Sequence, residues 1–294
     1  MKAAYLGLLV GIISVSFASI FIRLADAPAL VIGAYRLTIA SLVLTPVVWS
    51  KVRDELLSLS RRDLGLAILS GLFLGAHFAT WIASLEYTSV AASVVLVSTS
   101  PLFVGIASHF LYGERLSPLK IAGIFLAMLG ASIIGAGGLE VSLGALWGDI
   151  LALLGAVAVS GYFLIGKALR RRLSILAYIY PTYCTAAASL ILASIIARHP
   201  FTGYSLRTYL MFLLLALVPQ ILGHSSFNWA LRYLSSTLVT VATLGEPVGA
   251  TLLAYFILRE TPLPLELIGG IIVLTGIFIV SRQEEPIVQE VTAK

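Results

Sequence analysis

Ten apolar segments, each close to 20 residues long, follow one another along this chain with only short polar connections between them. An α-helix needs about 20 apolar residues to cross a membrane, whereas a membrane β-strand needs about 10 residues of alternating polarity. The segments therefore predict an all-α membrane protein. They lie near residues 4–24, 29–49, 64–85, 89–112, 118–137, 144–168, 175–197, 208–231, 235–258 and 264–281.

The charged residues are few and unevenly placed. Only 11% of the chain is charged, against about 25% in soluble domains. With the N-terminus inside, most lysines and arginines, including the run Arg170 to Arg172, fall in cytoplasmic loops, and both termini are cytoplasmic. We therefore expect a multi-pass protein of the plasma membrane and read the net charge of +5 as a topology signal, with no nucleic-acid partner. The first segment is longer than a signal peptide's apolar region, and we expect it to be retained.

The second half of the chain repeats the first. Pairs of proline, glycine and glutamate align at a shift of 146 residues, namely Pro101 with Pro247, Glu114 with Glu260, Gly123 with Gly269 and Gly130 with Gly276. Five segments per half is an odd number, so the second half must enter the membrane upside down, as in many secondary transporters. The sequence predicts two inverted five-helix repeats around a central cavity, 1–140 and 141–283, followed by a polar cytoplasmic tail, 284–294.

The stretches that carry this repeat resemble a known family. They are TSPLFVGIASHFLYGERLSPLKIAGIFLAMLGASII in the first half and TLGEPVGATLLAYFILRETPLPLELIGGIIVLTGIFIV in the second. Both resemble the EamA domains of the drug/metabolite transporter superfamily, and the resemblance covers nearly the whole chain. It implies a ten-helix carrier whose central cavity alternates access and which moves amino acids, other metabolites or drugs, without naming the cargo.

Glu246 and Pro247 lie inside the ninth apolar segment. A carboxylate in hydrocarbon is costly, and a proline removes a helical hydrogen bond. One interpretation is a structural hinge, shared with Pro101 in the first half, in which Glu246 satisfies freed backbone groups. The other makes Glu246 a proton-coupling site or the partner of a cargo amine.

Histidine and tryptophan recur in the third and eighth segments. Trp81 follows His77 by about one turn, and Trp229 follows His224 in the same way. Asn228 is four residues from His224 and shares its helix face. We expect these residues to line one cavity with a polar and aromatic wall, although buried histidines can also simply bond to neighbouring helices.

Arg36 lies about two turns into the second segment. Its guanidinium suits a carboxylate on the cargo, because the two groups can form paired hydrogen bonds. The alternatives are snorkelling towards the surface or a structural pair with Asp26. Tyr162 completes the predicted substrate-binding set, and Tyr183 and Gln220 are lesser candidates for it.

The leading functional hypothesis is a secondary transporter, most readily an exporter of small metabolites or amphipathic drug-like compounds, with protons as the candidate coupling ion. The chain has no P-loop motif, no cofactor is expected, and the partners are a small molecule and the bilayer, with a monomer sufficient because the symmetry is internal. An intramembrane metal enzyme built on His77, His109, His224 and Glu246 is one alternative, although we expect no enzyme and no metal. A pore or other non-transporting membrane protein is the second alternative.

Overall fold

The computed structural model describes residues 2–88, 93, 96–135, 143–259 and 261–284. Within these ranges the chain forms helices and no strand. Glu260, most of the predicted tail and the start of the predicted fourth span lie outside the described residues. The helices of the first half are α1 (Lys2–Ser16), α2 (Ala18–Leu24), α3 (Ala29–Lys51), α4 (Arg53–Leu57), α5 (Arg61–Tyr87), α6 (Ser100–Tyr112) and α7 (Pro118–Gly135).

The second half contains two stretches of π-helix. Its α-helices are α8 (Leu143–Arg170), α9 (Ile175–Ile196), α10 (Leu206–Leu215), α11 (Ser225–Ala230), α12 (Ser236–Thr243), α13 (Gly245–Leu253) and α14 (Pro264–Arg282). One π-helix, Ala216–His224, joins α10 to α11, and the other, Ala254–Leu258, follows α13. Pro219 lies inside the first of them and cannot donate the backbone hydrogen bond that a regular helix uses.

Seven helical stretches in the described ranges are long and apolar enough to cross a membrane, judged by length and composition. Three shorter apolar helices occupy the places of the predicted fourth, fifth and tenth spans. The predicted all-α membrane class is therefore confirmed. The seven longer stretches are Lys2–Leu24, Ala29–Lys51, Arg61–Tyr87, Ala145–Arg170, Ile175–Ile196, Leu206–Ala230 and Ser236–Ile257.

Serine side chains begin several of these helices. The Ser60 hydroxyl accepts the backbone N–H of Asp63 (3.0 Å) at the start of α5, and Ser117 accepts that of Lys120 (3.1 Å) at the start of α7. Ser174, Ser205 and Ser235 cap α9, α10 and α12 in the same way. Each cap satisfies one of the free N–H groups of a first turn, so these helices start at defined residues.

Glycines let α7 and α14 touch backbone to backbone. A Cβ atom on Gly130 would lie 2.6 Å from the Gly269 carbonyl oxygen, and one on Gly276 would lie 2.6 Å from the Gly123 carbonyl oxygen. Since Gly123 faces Gly276 while Gly130 faces Gly269, the two helices run antiparallel. Apolar side chains gain little from association inside lipid, so close approach at small residues is what holds such helices together.

The outward faces of the bundle are apolar. Phe110 is 81% exposed, and Leu129, Leu192 and Phe278 are also exposed. The interior instead holds aromatic and aliphatic side chains from both halves, such as Tyr162 and Leu37, which are fully buried. An exterior this apolar fits a chain that is surrounded by lipid.

The contact between α7 and α14 gives a first prediction. Gly276→Ala should lower the unfolding temperature by several degrees, because its methyl group would lie 2.5 Å from the Ala127 backbone nitrogen and overpacking costs about 1–3 kcal/mol. Thermal unfolding of the purified protein in detergent measures this.

Gly270→Ala is the matched control on the same helix. The nearest atom to its new methyl group would be a Val248 side-chain carbon at 3.5 Å, an ordinary contact. Its unfolding temperature should stay the same or rise slightly, since alanine favours a helix over glycine by about 0.5–1 kcal/mol. Equal unfolding temperatures for both variants would contradict the described contact.

Candidate functional site

A cavity inside the bundle is lined by side chains from both halves of the chain. It contains the predicted residues Arg36, His77 and Trp81 from the first half and His224 and Glu246 from the second. The other lining residues are Val15, Ala18, Phe78, Val97, Ser98, Ser100, Val159, Phe163, Phe227, Thr243 and Pro247. Charged, imidazole and aromatic groups that lie far apart in sequence therefore meet in one place.

Arg36 is the most deeply buried charged group at this cavity. Its side chain is 1% exposed, so it does not snorkel to the surface. The Nε atom donates a hydrogen bond to the Gln220 Oε1 atom (2.8 Å), and the guanidinium carbon lies 4.2 Å from the centre of the Phe78 ring. Among the residues that the structure describes, neither Nη1 nor Nη2 has a hydrogen-bond partner. Glu246 lines the same cavity, but it accepts no hydrogen bond from this guanidinium.

Aromatic rings and the two histidines surround the guanidinium. The His77 ring stacks on the Trp81 indole, with centroids 5.7 Å apart and planes 5° apart, because the two residues are four apart on α5. Phe78 lies between the histidines, 5.0 Å from the His77 ring and 5.5 Å from the His224 ring. The His77 Nδ1 atom donates to the Gly155 carbonyl oxygen (3.0 Å), so its Nε2 atom is the nitrogen left for a ligand.

His224 ends the π-helix that also carries Gln220. Its Nδ1 atom is buried and has no hydrogen-bond partner in the described ranges. Behind it, the Asn228 amide donates to the His224 carbonyl oxygen (2.7 Å) and to the Tyr162 hydroxyl. The structure therefore places Asn228 and Tyr162, both predicted to bind substrate, outside the lining, where they support His224.

Glu246 and Pro247 stand at a break between two helices. α12 ends at Thr243, and α13 starts again at Gly245 with both residues in its first turn. The hydroxyl of Ser16 donates to the Glu246 backbone oxygen (3.4 Å), which ties this break to α1. Pro101 has the corresponding position in the first turn of α6, where it is buried beside the cavity-lining Ser100.

Trp229 lies outside the cavity lining. Its indole packs on Gly7 of α1 and on the Tyr233 ring, whose centroid is 4.9 Å away. Trp229 is five residues after His224, whereas Trp81 is four after His77, so the two tryptophans point in different directions from their histidines. Phe78, Phe163 and Phe227 line the cavity instead. No local pattern distinguishes them from the chain's other aromatic residues, so the sequence did not predict their place.

Hydrogen bonds and an ion pair link the two halves of the chain at one end of the bundle, in a cluster that we call the Glu114 cluster: Glu114, Lys120, Ser235, Ser236, Thr237 and Glu284. The Glu114 carboxylate accepts hydrogen bonds from the Ser236 hydroxyl and backbone N–H (2.7 and 2.8 Å) and from those of Thr237 (2.7 and 3.3 Å). Glu284 bonds to the Ser235 hydroxyl (2.6 Å) and pairs with Lys120 (3.5 Å). The cluster therefore joins the first half of the chain to the start of α12.

The charge of Glu114 is held by these bonds. Burial raises the pKa of the Glu114 carboxyl, but the hydrogen bonds from Thr237 and Ser236 outweigh burial and leave that pKa below its ordinary value. Glu114 therefore stays ionised at neutral pH, and a negative charge at a helix N-terminus is favourable.

The described residues contain no group of three or more histidine, cysteine, aspartate or glutamate side chains that could hold a metal ion. His109, one of the histidines considered for a metal, instead contacts the Glu114 backbone oxygen through its Nδ1 atom (2.9 Å). The other residues considered for a metal, His77, His224 and Glu246, line the same cavity as the cationic guanidinium of Arg36.

Comparison with known proteins gives concordant matches. The sequence model of the EamA-like transporter family matches residues 2–136 and again 146–282. An "Uncharacterized transporter" of Archaeoglobus fulgidus is 26% identical, over 92% of this chain and 93% of that protein. A "Probable terminal-alkyne amino-acid exporter" of Streptantibioticus cattleyicolor is 27% identical, over 64% of this chain and 63% of that protein.

A solved crystal structure of a protein has the same fold. It superposes with a TM-score of 0.80 at 20% sequence identity, covering 96% of this chain and 98% of that chain. At this identity the likeness concerns the fold alone.

The Glu114 cluster gives a second prediction. Glu114→Gln should lower the free energy of unfolding by about 1–3 kcal/mol near pH 7, because hydrogen bonds to a charged acceptor are replaced by weaker ones. Since the native pKa is depressed, this contribution is complete above the ordinary carboxyl pKa of about 4.3 and is lost as pH falls through the native value. Unfolding midpoints in detergent from pH 3 to pH 8 measure it.

Glu86→Gln, at an exposed position near the end of α5, is the control and should change little. The gap between wild type and Glu114→Gln should be constant from pH 6 to pH 8 and should narrow below about pH 4. A gap that is absent at neutral pH would show that the cluster does not hold this end together.

Proposed function

The chain belongs to the EamA-like transporter family, and we propose that it is a secondary transporter that exports small metabolites such as amino acids. The observation that carries this proposal is the cavity lined from both halves by Arg36, His77, Trp81, His224 and Glu246. Charged side chains are expensive inside a membrane and usually mark a substrate or ion pathway. A cavity between repeats is also where secondary transporters bind their cargo.

The proposed architecture is ten spanning helices in two inverted repeats. The reciprocal contacts of Gly123 with Gly276 and Gly130 with Gly269 support it, because an inverted repeat exchanges these two contacts. Packing of the third span against the sixth and of the first against the eighth supports it as well. In this repeat the third span corresponds to the eighth, and the sixth corresponds to the first. The contact between the third and sixth spans is therefore the counterpart of the contact between the first and eighth.

The proposed mechanism is alternating access to this one cavity. The Glu114 cluster ties the two halves together at one end, as a closed gate on a carrier would. The positive-inside pattern of the loops puts this end in the cytoplasm of a plasma-membrane protein with both termini inside. The breaks before Pro101 and Pro247 are the proposed hinges, since a helix that is already interrupted bends there at low cost.

The proposed cargo is small and amphipathic. The positive Arg36 and negative Glu246 offer partners to the two charges of an amino acid, and the Trp81, Phe163 and Phe227 rings offer an apolar wall. The similarity to a protein named as an amino-acid exporter points the same way. Cargo export in exchange for protons would use Glu246, which changes charge when it takes up a proton.

A transport assay gives the third prediction. Proteoliposomes should show saturable uptake of at least one member of a labelled amino-acid and metabolite panel, and an imposed pH gradient should enhance that uptake. Glu246→Gln should abolish the enhancement, because an amide cannot carry the proton, while uptake down the cargo's own gradient continues at a lower affinity, because the cargo's ammonium group loses a charged partner. Initial rates with and without the gradient measure both effects.

Asp149→Asn serves as the control, because this carboxylate contacts the Thr88 hydroxyl (2.9 Å) and lies outside the cavity lining. It should keep the response to the pH gradient. If folded Glu246→Gln keeps it too, Glu246 belongs to the hinge alone. If no cargo in the panel is taken up by folded wild-type protein, the transport proposal fails for these classes.

A further inference from the structure

We infer that the cavity binds a carboxylate group through the two Nη atoms of Arg36, and that Gln220 is the positioning residue that directs them. This inference rests on the proposed function, since it identifies the chemical group that the cargo presents to the site. The cargo would carry a planar carboxylate, bound at the side of the cavity formed by α3 and the π-helix Ala216–His224.

The first observation concerns the Nη1 and Nη2 atoms of Arg36, which together form the fork of donors that can pair with an anion. A guanidinium has five N–H donors, and a buried charged group with unused donors is costly. Within the described part of the chain, Nε bonds to Gln220 while Nη1 and Nη2 have no hydrogen-bond partner, although the side chain lines the cavity. A ligand that accepts two parallel hydrogen bonds would satisfy the group in its present position.

The second observation concerns how the fork is held. Gln220 is fully buried in the π-helix, and its Oε1 atom fixes the Nε edge of the guanidinium at 2.8 Å. The Phe78 ring covers the guanidinium, with the central carbon 4.2 Å from the ring centre. With one edge and one face occupied, the group keeps its Nη pair free. Preorganisation of this kind increases affinity because less freedom is lost on binding.

The third observation selects carboxylate over phosphate. Both anions pair with a guanidinium fork. Glu246 lines the same cavity, and when it is ionised it would repel a phosphate monoester with about two charges more strongly than a single carboxylate. A carboxylate that carries its own ammonium group would place that cation where Glu246 attracts it.

The test uses binding, which does not depend on transport. Full-length protein purified in detergent would be titrated with the twenty common amino acids, L-phenylalaninamide, 3-phenylpropionate and phenyl phosphate, and thermal stabilisation recorded. We expect stabilisation by at least one amino acid, with a marked loss when its carboxylate is converted to an amide. Phenyl phosphate should stabilise less than 3-phenylpropionate.

Two variants report on the fork separately. Arg36→Lys keeps the charge but loses the paired donors, and Gln220→Met keeps the size but loses the acceptor for Nε. Each should weaken the binding of carboxylates at least about tenfold, while any weak binding of the amide changes little. Ser41→Ala is the control, because Ser41 is a buried residue of α3 that lies outside the cavity lining, and its hydroxyl also lacks a partner among the described residues.

The inference would be overturned by no stabilisation of folded wild type by any carboxylate, by equal binding of an amino acid and its amide, or by a folded Gln220→Met protein with unchanged carboxylate affinity. Stronger stabilisation by phenyl phosphate would also overturn it, in favour of a phosphate site. Saturable transport of a cargo without a carboxylate would defeat this inference and leave the transporter proposal standing. Carboxylate binding without any transport would support this inference and contradict the transporter proposal.

Discussion

The placement of one guanidinium inside a lipid-embedded bundle is the constraint on which the centre of this structure depends. Removing a charge from water costs several kcal/mol even after relaxation, so a buried arginine persists only where its surroundings compensate. Arg36 receives part of that compensation from the Gln220 amide oxygen and from the face of Phe78. The opposite charge of Glu246 acts across the cavity. A ligand would supply hydrogen-bond acceptors for the remaining donors of the group, Nη1 and Nη2.

The rest of the bundle is held by forces that suit a lipid environment. Apolar side chains gain little by leaving lipid for one another, and contact between α7 and α14 therefore depends on glycines that let backbones approach. At the ends of helices, serine caps and the Glu114 cluster satisfy free backbone groups with hydrogen bonds. In the proposed carrier, contacts of this kind at one end of the bundle would break and form again while the packed helices stay intact.

Much of this arrangement could be read from the sequence, because the relevant patterns are local. Apolar length predicts the spans, and the four-residue spacing of His77 and Trp81 predicts their shared face. Trp229 could not be placed as well, since its five-residue spacing from His224 turns it towards Gly7. The pairing of Arg36 with Gln220 joins residues 184 positions apart through a π-helix that no local pattern predicts. The bonds between Glu114 and Thr237 depend on tertiary packing in the same way.

We propose that a single cavity is reached in turn from the two sides of the membrane. Counterflow tests it most directly: vesicles containing the protein are preloaded with excess unlabelled cargo, and labelled cargo is added outside. A carrier should transiently accumulate the label above its external concentration, because its site returns outward occupied by unlabelled cargo. Label that only equilibrates, with no overshoot at any cargo concentration, would contradict alternating access and favour a pore.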